Sequence, residues 1–248
     1  MEPESNTSVI RVEHLTKSFN GEPVLKDISF ALVPGENLII LGKSGAGKSV
    51  LLKCITGLLE PDSGNIALFN QVPDELDEEH LNALKKRIGF VFQGSALYDS
   101  MSLRENLMFH LDRSATSLAA KDKDVRVKEI LDKVGLLDAI DKMPVELSGG
   151  MRKRAGLARA LVLRPEIILY DEPTTGLDPA TSREISELIL RIQEIYQTAA
   201  VIVTHDMSCA RLTSNRILIL EKGSFIAAGT YSDLKESPNE AIQDFFIT

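Results

Sequence analysis

The sequence has little cysteine, no tryptophan and no long apolar run. The scarcity of cysteine and of apolar runs argues against a disulfide-rich protein and against a membrane-spanning one. Its two cysteines, Cys54 and Cys209, lie in apolar or helical surroundings without the spacing of a metal site. A disulfide scaffold is therefore not expected, and a reducing compartment is the default. No apolar stretch approaches the roughly 18–20 residues that span a bilayer. The acidic, polar start does not resemble a signal peptide, so we expect a cytoplasmic protein.

Positive charge is also scarce. The chain has 28 lysines and arginines against 36 aspartates and glutamates, which gives a net charge of −8. A general nucleic-acid binder usually carries a basic face, so nucleic acid is not an expected partner. With 248 residues, of which 44% are hydrophobic, the chain can bury a substantial core in one large domain or two small ones.

Strand and helix patterns alternate along the chain and predict an α/β fold. A helical pattern runs from about residue 95 to residue 163, with apolar residues at helical spacing from Val127 to Leu137. Turn signals occur at 34–36, 61–64 and 221–224. Short apolar runs predict strands at 9–15, 26–33, 37–41, 88–92, 167–170, 200–203 and 217–220.

A glycine-rich segment stands between a predicted strand and a predicted helix and fits the pattern G-x-x-x-x-G-K-[ST]. Its glycines allow backbone N–H groups to point at phosphates, and the helix dipole adds positive charge. We expect Lys48 to contact the β- and γ-phosphates and the Ser49 hydroxyl to bind Mg²⁺. Taken alone, the segment predicts only a nucleoside triphosphate. It consists of Gly42, Lys43, Ser44, Gly45, Ala46, Gly47, Lys48 and Ser49, and Val50 continues it into the helix.

Two other predicted strands end in side chains suited to hydrolysis. Asp171 and Glu172 follow one strand, and His205 follows another. Ligands of open α/β sheets gather at the carboxyl ends of the strands. We therefore expect Asp171 near Mg²⁺, Glu172 near the attacking water and His205 beside the γ-phosphate. For either feature alone, the alternative is an ordinary acidic turn or a structural histidine.

A second helix start can also receive an anion. Ser148 is a good N-cap, and Gly149 and Gly150 would let a ligand approach exposed amides. The alternative is a plain capped helix, and the motif alone does not distinguish the two.

The ordered set of these motifs resembles the nucleotide-binding subunits of ABC transporters over nearly the whole chain. The set comprises GxxxxGKS, Gln93, the LSGGM signature at 147–151, the Asp171-Glu172 strand, Gly176-Leu177-Asp178 and His205. The resemblance implies a P-loop NTPase (RecA-like) core with an N-terminal antiparallel β subdomain and an inserted α-helical subdomain. It implies one ATPase domain over 8–246, with the helical subdomain at about 95–163 and the rest at about 8–94 and 164–246.

The resemblance also implies that ATP and Mg²⁺ bind between two copies of the chain arranged head to tail. Glu172 would be the base, His205 would hold water and γ-phosphate in line, and Gln93 would help bind both Mg²⁺ and water. Ser49 and Asp171 would complete the metal site. Phe19 would stack on adenine, with Val24 beside it. The residues that would act on the partner's nucleotide are Ser148, Gly149, Gly150 and Asp178.

Met151 stands where most such subunits have glutamine, and the runs 147–161 and 93–102 resemble the Mla/Mce branch. That branch implies lipid or other hydrophobic cargo, a membrane permease, a Mce-type lipid-binding protein and a place at the cytoplasmic face of a bacterial inner membrane. The groove for the permease would include Val91, Leu97, Tyr98 and Met101.

Several alternatives remain. An ABC importer or exporter ATPase for non-lipid cargo fits most of the motifs. A DNA-repair ABC ATPase would carry a long coiled-coil insertion, and a ribosome-associated factor would carry two cassettes in one chain. A P-loop kinase or GTPase would have no need of LSGG.

Overall fold

In residues 8–114 and 118–246, which the computed structural model describes, the strands form two sheets. A three-stranded antiparallel sheet has the order β2-β1-β4, from β1 (Ile10–Phe19), β2 (Glu22–Leu32) and β4 (Ser63–Leu68). A six-stranded sheet has the order β5-β6-β7-β3-β8-β9 and is parallel except for β9. Its strands are β3 (Asn37–Leu41), β5 (Ile88–Val91), β6 (Ile167–Asp171), β7 (Ala199–Thr204), β8 (Arg216–Glu221) and β9 (Ser224–Gly229).

Helices cover the six-stranded sheet and form the insertion between β5 and β6. They are α1 (Lys48–Ile55), α2 (Glu78–Lys86), α3 (Leu103–Arg113), α4 (Ala120–Lys133), α5 (Gly149–Leu161), α6 (Pro179–Tyr196), α7 (Met207–Thr213), α8 (Tyr231–Lys235) and α9 (Glu240–Gln243). The architecture confirms the predicted α/β core with an antiparallel β subdomain and a helical insertion. No helix in the described parts of the chain combines the length and apolarity needed to cross a bilayer.

The central strands are apolar on both faces because each face packs on a different layer. Leu38 and Ile40 of β3 join a cluster with α1 and the antiparallel sheet. Ile39 and Leu41 of the same strand join a cluster with the helices of the insertion and with α6. Parallel strands buried on both sides read as continuous hydrophobic runs, which explains why these strands were predictable.

Two predicted elements are wrong in detail. The turn predicted at 61–64 overlaps β4, because Gly64 lies inside the strand at a φ of +96° where β1 and β4 shift register. A glycine at a bulge resembles a turn glycine in sequence. The apolar helical face does include buried Val127, Ile130 and Val134, but α4 ends at Lys133 and Leu137 is exposed beyond it.

The loop before α3 takes its shape from one buried amide. Asn106 is fully buried and accepts a hydrogen bond from the Tyr98 N–H at 2.8 Å. Its Nδ2 donates to the carbonyls of Tyr98, Met101 and Ser102 at 2.9–3.1 Å. The loop therefore has a defined conformation that leaves the Tyr98 ring exposed.

Both thiols and two residues of the C-terminal segment 240–246 are buried. Cys54 and Cys209 are buried, and burial raises the pKa of each thiol to about 11. Ile242 and Phe245 are also buried. The Lys43 ammonium lies 5.4 Å from the centre of the Phe245 ring, which brings the C-terminal segment against the glycine-rich loop.

The hairpin turn between β8 and β9 yields a stability prediction. Gly223 has a φ of +84°, and a Cβ there would lie 2.4 Å from the Val24 carbonyl oxygen. Gly223→Ala should lower the free energy of unfolding by about 1–2 kcal/mol because of the left-handed backbone. The clash with the Val24 carbonyl should lower it by about 1–3 kcal/mol more. Gly35→Ala is the matched control, because Gly35 has a φ of +71° with nothing within 4 Å. Urea unfolding that shows equal losses for the two variants would contradict this account.

Candidate active site

Parallel pairing brings three sequence-distant segments to one edge of the sheet. The Gly42 N–H donates to the Thr204 carbonyl at 3.1 Å, and the Glu172 N–H donates to the Val203 carbonyl at 3.0 Å. The glycine-rich loop, the residues after β6 and the residues after β7 therefore start from fixed, adjacent positions. His205 follows Thr204 at the same edge.

The glycine-rich loop requires its glycines for close packing. Gly47 has a φ of +104°, and a Cβ there would lie 2.9 Å from Leu25 Cδ2 and 3.0 Å from the Val24 carbonyl. A Cβ on Gly42 would lie 2.7 Å from the Leu220 carbonyl. Gly45 also adopts a positive φ, of +80°. Gly47 caps α1 without a side-chain hydrogen bond, so the first-turn amides remain available to an anion.

Lys48 is buried beneath the loop, and its ammonium group lies among oxygen atoms. The Nζ donates to the Gly42 carbonyl at 2.7 Å and to the Lys43 carbonyl at 3.1 Å. It also lies 3.0 Å from Glu172 Oε1. An anion in the loop would meet this ammonium together with the α1 amides.

Glu172 is the most heavily contacted carboxylate of the site. Its Oε2 accepts from Thr175 Oγ1 and lies 2.9 Å from His205 Nδ1, while Oε1 faces Lys48. Burial alone would raise its pKa, but the contacts with His205, Lys48 and Thr175 outweigh burial and lower the pKa. Its backbone has a φ of 49°, an unusual conformation for a residue with a side chain. The carboxylate is therefore ionised and fixed in direction.

Asp171 and Ser49 provide two neighbouring oxygen atoms of the kind that bind hard metal ions. The Ser49 hydroxyl donates to Asp171 Oδ1 at 2.8 Å. Burial raises the pKa of Asp171, and the Ser49 hydrogen bond partly offsets this. The described residues contain no group of three or more His, Cys, Asp or Glu side chains that could hold a metal by itself. A hydroxyl and one carboxylate suit Mg²⁺, which keeps waters and substrate phosphates among its ligands.

His205 is partly open to solvent, with 53% of its side chain exposed. The residue after it is fixed: Asp206 caps α7 and accepts a hydrogen bond from Thr174 Oγ1 at 2.8 Å. Because Thr174 belongs to the loop after β6, the loops after β6 and β7 are joined at two points, Thr174–Asp206 and Glu172–His205.

Of three further predicted residues, Gln93 and Val24 lie beside groups of the site, and Phe19 lies at the end of β1. Gln93 follows β5 with an exposed side chain, and its carbonyl is bound by Lys153. Phe19 ends β1 with 42% of its surface exposed. Val24 on β2 lies against Gly47 of the loop. Val91 does not belong to any surface groove: it is 3% exposed and packs in the core, because this end of β5 faces the insertion helices.

Within the described part of the chain, the signature segment at 147–151 shares no hydrogen bond with the glycine-rich loop of the same chain. Ser148 caps α5, with the Met151 N–H donating to its Oγ at 3.3 Å, and is itself exposed. Asp178 caps α6 and is also exposed, while Gly150 is packed against Thr181. In the described residues no hydrogen bond joins 148–150 to 42–49. One chain thus has two helix starts, those of α1 and α5, that are not joined to each other by a hydrogen bond.

Two contributors to the site were missed in the sequence. Thr175 lies three residues after Glu172, and its hydroxyl donates a hydrogen bond to that carboxylate across a short turn. Lys153 reaches the site from α5, and nothing in a charged helical run signals that this lysine is buried.

This chain is similar in sequence to the ATP-binding proteins of transporters. The ABC transporter family model matches residues 25–175. The probable ribonucleotide transport ATP-binding protein mkl of Mycobacterium leprae is 39% identical over 236 residues, or 95% of this chain and 68% of that protein. The methionine import ATP-binding protein MetN of Xanthomonas axonopodis pv. citri is 35% identical over 244 residues, or 97% of this chain and 72% of that protein.

Solved structures agree with the relatives. The structure of cbiO1 from Clostridium perfringens, part of the ABC transporter complex cbiONQ, has a TM-score of 0.83 and 30% identity, covering 92% of this chain and 90% of that one. The dimeric post-hydrolysis structure of the ATP-binding cassette MJ0796 with ADP and Pi has a TM-score of 0.79 and 31% identity, covering 89% of this chain and 98% of that one. With a family model over more than half of its residues and relatives over almost all of them, this chain belongs to the ABC transporter family, as one of its ATP-hydrolysing cassettes.

Proposed function

We propose that two copies of this chain close head to tail on two ATP molecules and thereby drive a membrane permease. The proposal rests on two helix starts, at the phosphate loop and at exposed Ser148, that share no hydrogen bond in the described residues. Each start alone is half of an anion site, and two chains facing each other would complete both halves. The MJ0796 cassette is dimeric with ADP and Pi bound, which supports a dimer of this chain.

In this mechanism the chain's own residues position water and receive its proton. The ionised Glu172 accepts the proton as the water oxygen attacks the γ-phosphorus and the bond to the β-phosphate bridging oxygen breaks. His205, 2.9 Å from Glu172 Oε2, keeps the carboxylate and the γ-phosphate in line. Lys48 and the α1 amides bind the phosphates, and Gln93 contacts the water. Mg²⁺, held by Ser49 and Asp171, would neutralise phosphate charge.

Residues from the second copy complete each site. Ser148, Gly149 and Gly150 bind the γ-phosphate of the partner's ATP through the Ser148 hydroxyl and the first amides of α5. Asp178 contacts the partner chain. Phe19 stacks on adenine, and Val24 packs against the loop beside it. Stacking recognises the flat face of a base and makes no hydrogen bond with the edge of the base.

We further propose that the cargo is a phospholipid or another hydrophobic molecule that moves between membranes. The supporting observations are Met151 in the signature and the 93–102 segment, both similar to the Mla/Mce branch. The loop fixed by Asn106 presents Leu97, Tyr98 and Met101 to a permease helix at the cytoplasmic face of the bacterial inner membrane. A Mce-type lipid-binding protein would belong to the same complex.

The second candidate is an importer ATPase for a polar solute. It is favoured by the names of the relatives, which specify ribonucleotide transport and methionine import. Both candidates share the ATPase mechanism and differ only in the permease and in the cargo.

Replacing the base should separate binding from turnover. Glu172→Gln should leave ATP binding intact and lower the steady-state hydrolysis rate by about 10²- to 10⁴-fold, because the proton acceptor is lost. The variant should accumulate as an ATP-bound dimer in size-exclusion chromatography. Glu166→Gln is the matched control, since Glu166 precedes the same strand and pairs with Arg87 at the opposite end. Hydrolysis by Glu172→Gln at the control's rate would remove Glu172 from the role of base.

Shared sites can be tested with heterodimers isolated by two affinity tags. Lys48→Ala should weaken ATP binding by about 30-fold or more through loss of a buried charge contact, and Ser148→Arg should block the partner's site. A heterodimer of the two single variants keeps one intact head-to-tail site and should retain one ATP in a Glu172→Gln background.

The matched control for this experiment pairs the unmodified chain with the chain that carries both changes. Head-to-tail sharing leaves this heterodimer with no intact site, so it should retain no ATP. Sites confined to single chains would give the opposite result: one ATP in the control and none in the pair of single variants.

The cargo proposal predicts what accompanies the complex from its native membrane. A tagged chain, extracted with mild detergent and carrying Glu172→Gln to trap its permease, should co-purify with a lipid-binding subunit and with phospholipid in excess over a tagged Lys48→Ala control. Mass spectrometry of proteins and lipids measures both. Recovery of a solute-binding protein without enriched lipid would favour the polar-solute candidate.

A further inference from the structure

Lys153 is a buried lysine whose ammonium is bound by two backbone carbonyls. The residue is 9% exposed, and its Nζ donates to the Gln93 carbonyl at 2.7 Å and to the Glu172 carbonyl at 3.0 Å. Across residues 8–114 and 118–246, no carboxylate lies within ion-pair distance of this ammonium. Burial lowers the pKa of Lys153, while Glu172 and Asp171 partly offset that effect.

The two carbonyls belong to different loops of the active-site edge. Gln93 follows β5 and opens the 93–102 segment, whereas Glu172 follows β6. The two strands are neighbours, with Val91 paired to Tyr170. Glu172 has a φ of 49°, an unusual backbone conformation for a residue with a side chain, and Lys153 binds the carbonyl of this same residue. A cation on that carbonyl therefore helps to set where the carboxylate points.

The helix α5 is closely packed on both sides of Lys153. Three residues before it, a Cβ on Gly150 would lie 2.7 Å from Thr181 Cγ2. Three residues after it, a Cβ on Gly156 would lie 3.1 Å from both Cα and Cβ of Ser95. A displacement of the 93–102 segment would therefore displace α5 at Gly156. It would also displace the peptide of Glu172, because Lys153 binds both Gln93 and Glu172.

Filling space does not explain a lysine at this position. Removing an ammonium from water is costly unless its hydrogen bonds are replaced. An apolar side chain of the same length would avoid that cost but would remove the ammonium donor from the Gln93 and Glu172 carbonyls. What the ammonium adds is a pair of directional, charge-assisted bonds to the two loops.

We propose that Lys153 is a positioning residue that connects the 93–102 segment to the peptide of Glu172 and so sets the orientation of that carboxylate during ATP hydrolysis. The inference rests on the proposed role of Glu172 as base. It predicts that loss of the ammonium slows chemistry without weakening nucleotide binding, because Lys153 does not contact the phosphate loop.

The test compares Lys153→Met, which keeps length but loses the ammonium, with Lys153→Gln, which keeps a donor. The control is Lys133→Met, which changes an exposed lysine on α4. Lys153→Met should lower kcat by about 10- to 100-fold, as expected for a misplaced catalytic group, with the Kd for ATP within about twofold. Lys153→Gln should recover part of the loss. Hydrogen exchange in 93–98 and 172–176 should rise together in Lys153→Met and stay unchanged in the control.

Three outcomes would overturn the proposal: a kcat for Lys153→Met equal to that of the control, kcat and Kd losses that follow a lowered melting temperature, or equal losses for Met and Gln. Failure of the proposed base is recognised separately, because Glu172→Gln would then keep its turnover whatever the Lys153 variants do.

Discussion

The parallel pairing of β6, β7 and β3 is the constraint on which the rest of the site depends. Parallel neighbours end at the same edge, so Gly42, Glu172 and His205 converge although they lie far apart in the sequence. The pairing is extended past the strand ends by the bonds of Gly42 N–H to Thr204 and of Glu172 N–H to Val203. Burial of both faces of these strands makes a shift of register costly, because a slip of one residue would exchange the two apolar clusters.

At that edge, Glu172 and Lys48 each have more than one partner. Glu172 faces Lys48, His205 and Thr175 through its side chain and Lys153 through its carbonyl. Phosphate oxygens bound in the loop would compete with Glu172 for the Lys48 ammonium. Binding of the substrate would thus weaken one contact that lowers the Glu172 pKa and make the carboxylate a better proton acceptor, while His205 and Thr175 keep its position.

The sequence predicts what depends on local patterns and misses what depends on long-range contacts. The strands β3, β6, β7 and β8 were predictable because burial on both faces leaves apolar runs. The glycine-rich loop between β3 and α1 was predictable because its glycine spacing meets a backbone requirement. Gly64 was misread because bulge and turn glycines look alike. Val91 was wrongly predicted to lie in a surface groove, and Lys153 was not predicted to belong to the site. The side of a strand or helix that faces the core is set by packing partners tens of residues away.

The burial of both thiols makes the chain well suited to spectroscopic labelling. With pKa values raised to about 11, Cys54 and Cys209 are almost entirely protonated at neutral pH, and thiol-directed dyes or spin labels react with the thiolate. A single cysteine introduced on the surface would therefore be the dominant reactive site without removal of the native ones. Pairs of such labels would allow the distance between two copies to be followed through a catalytic cycle.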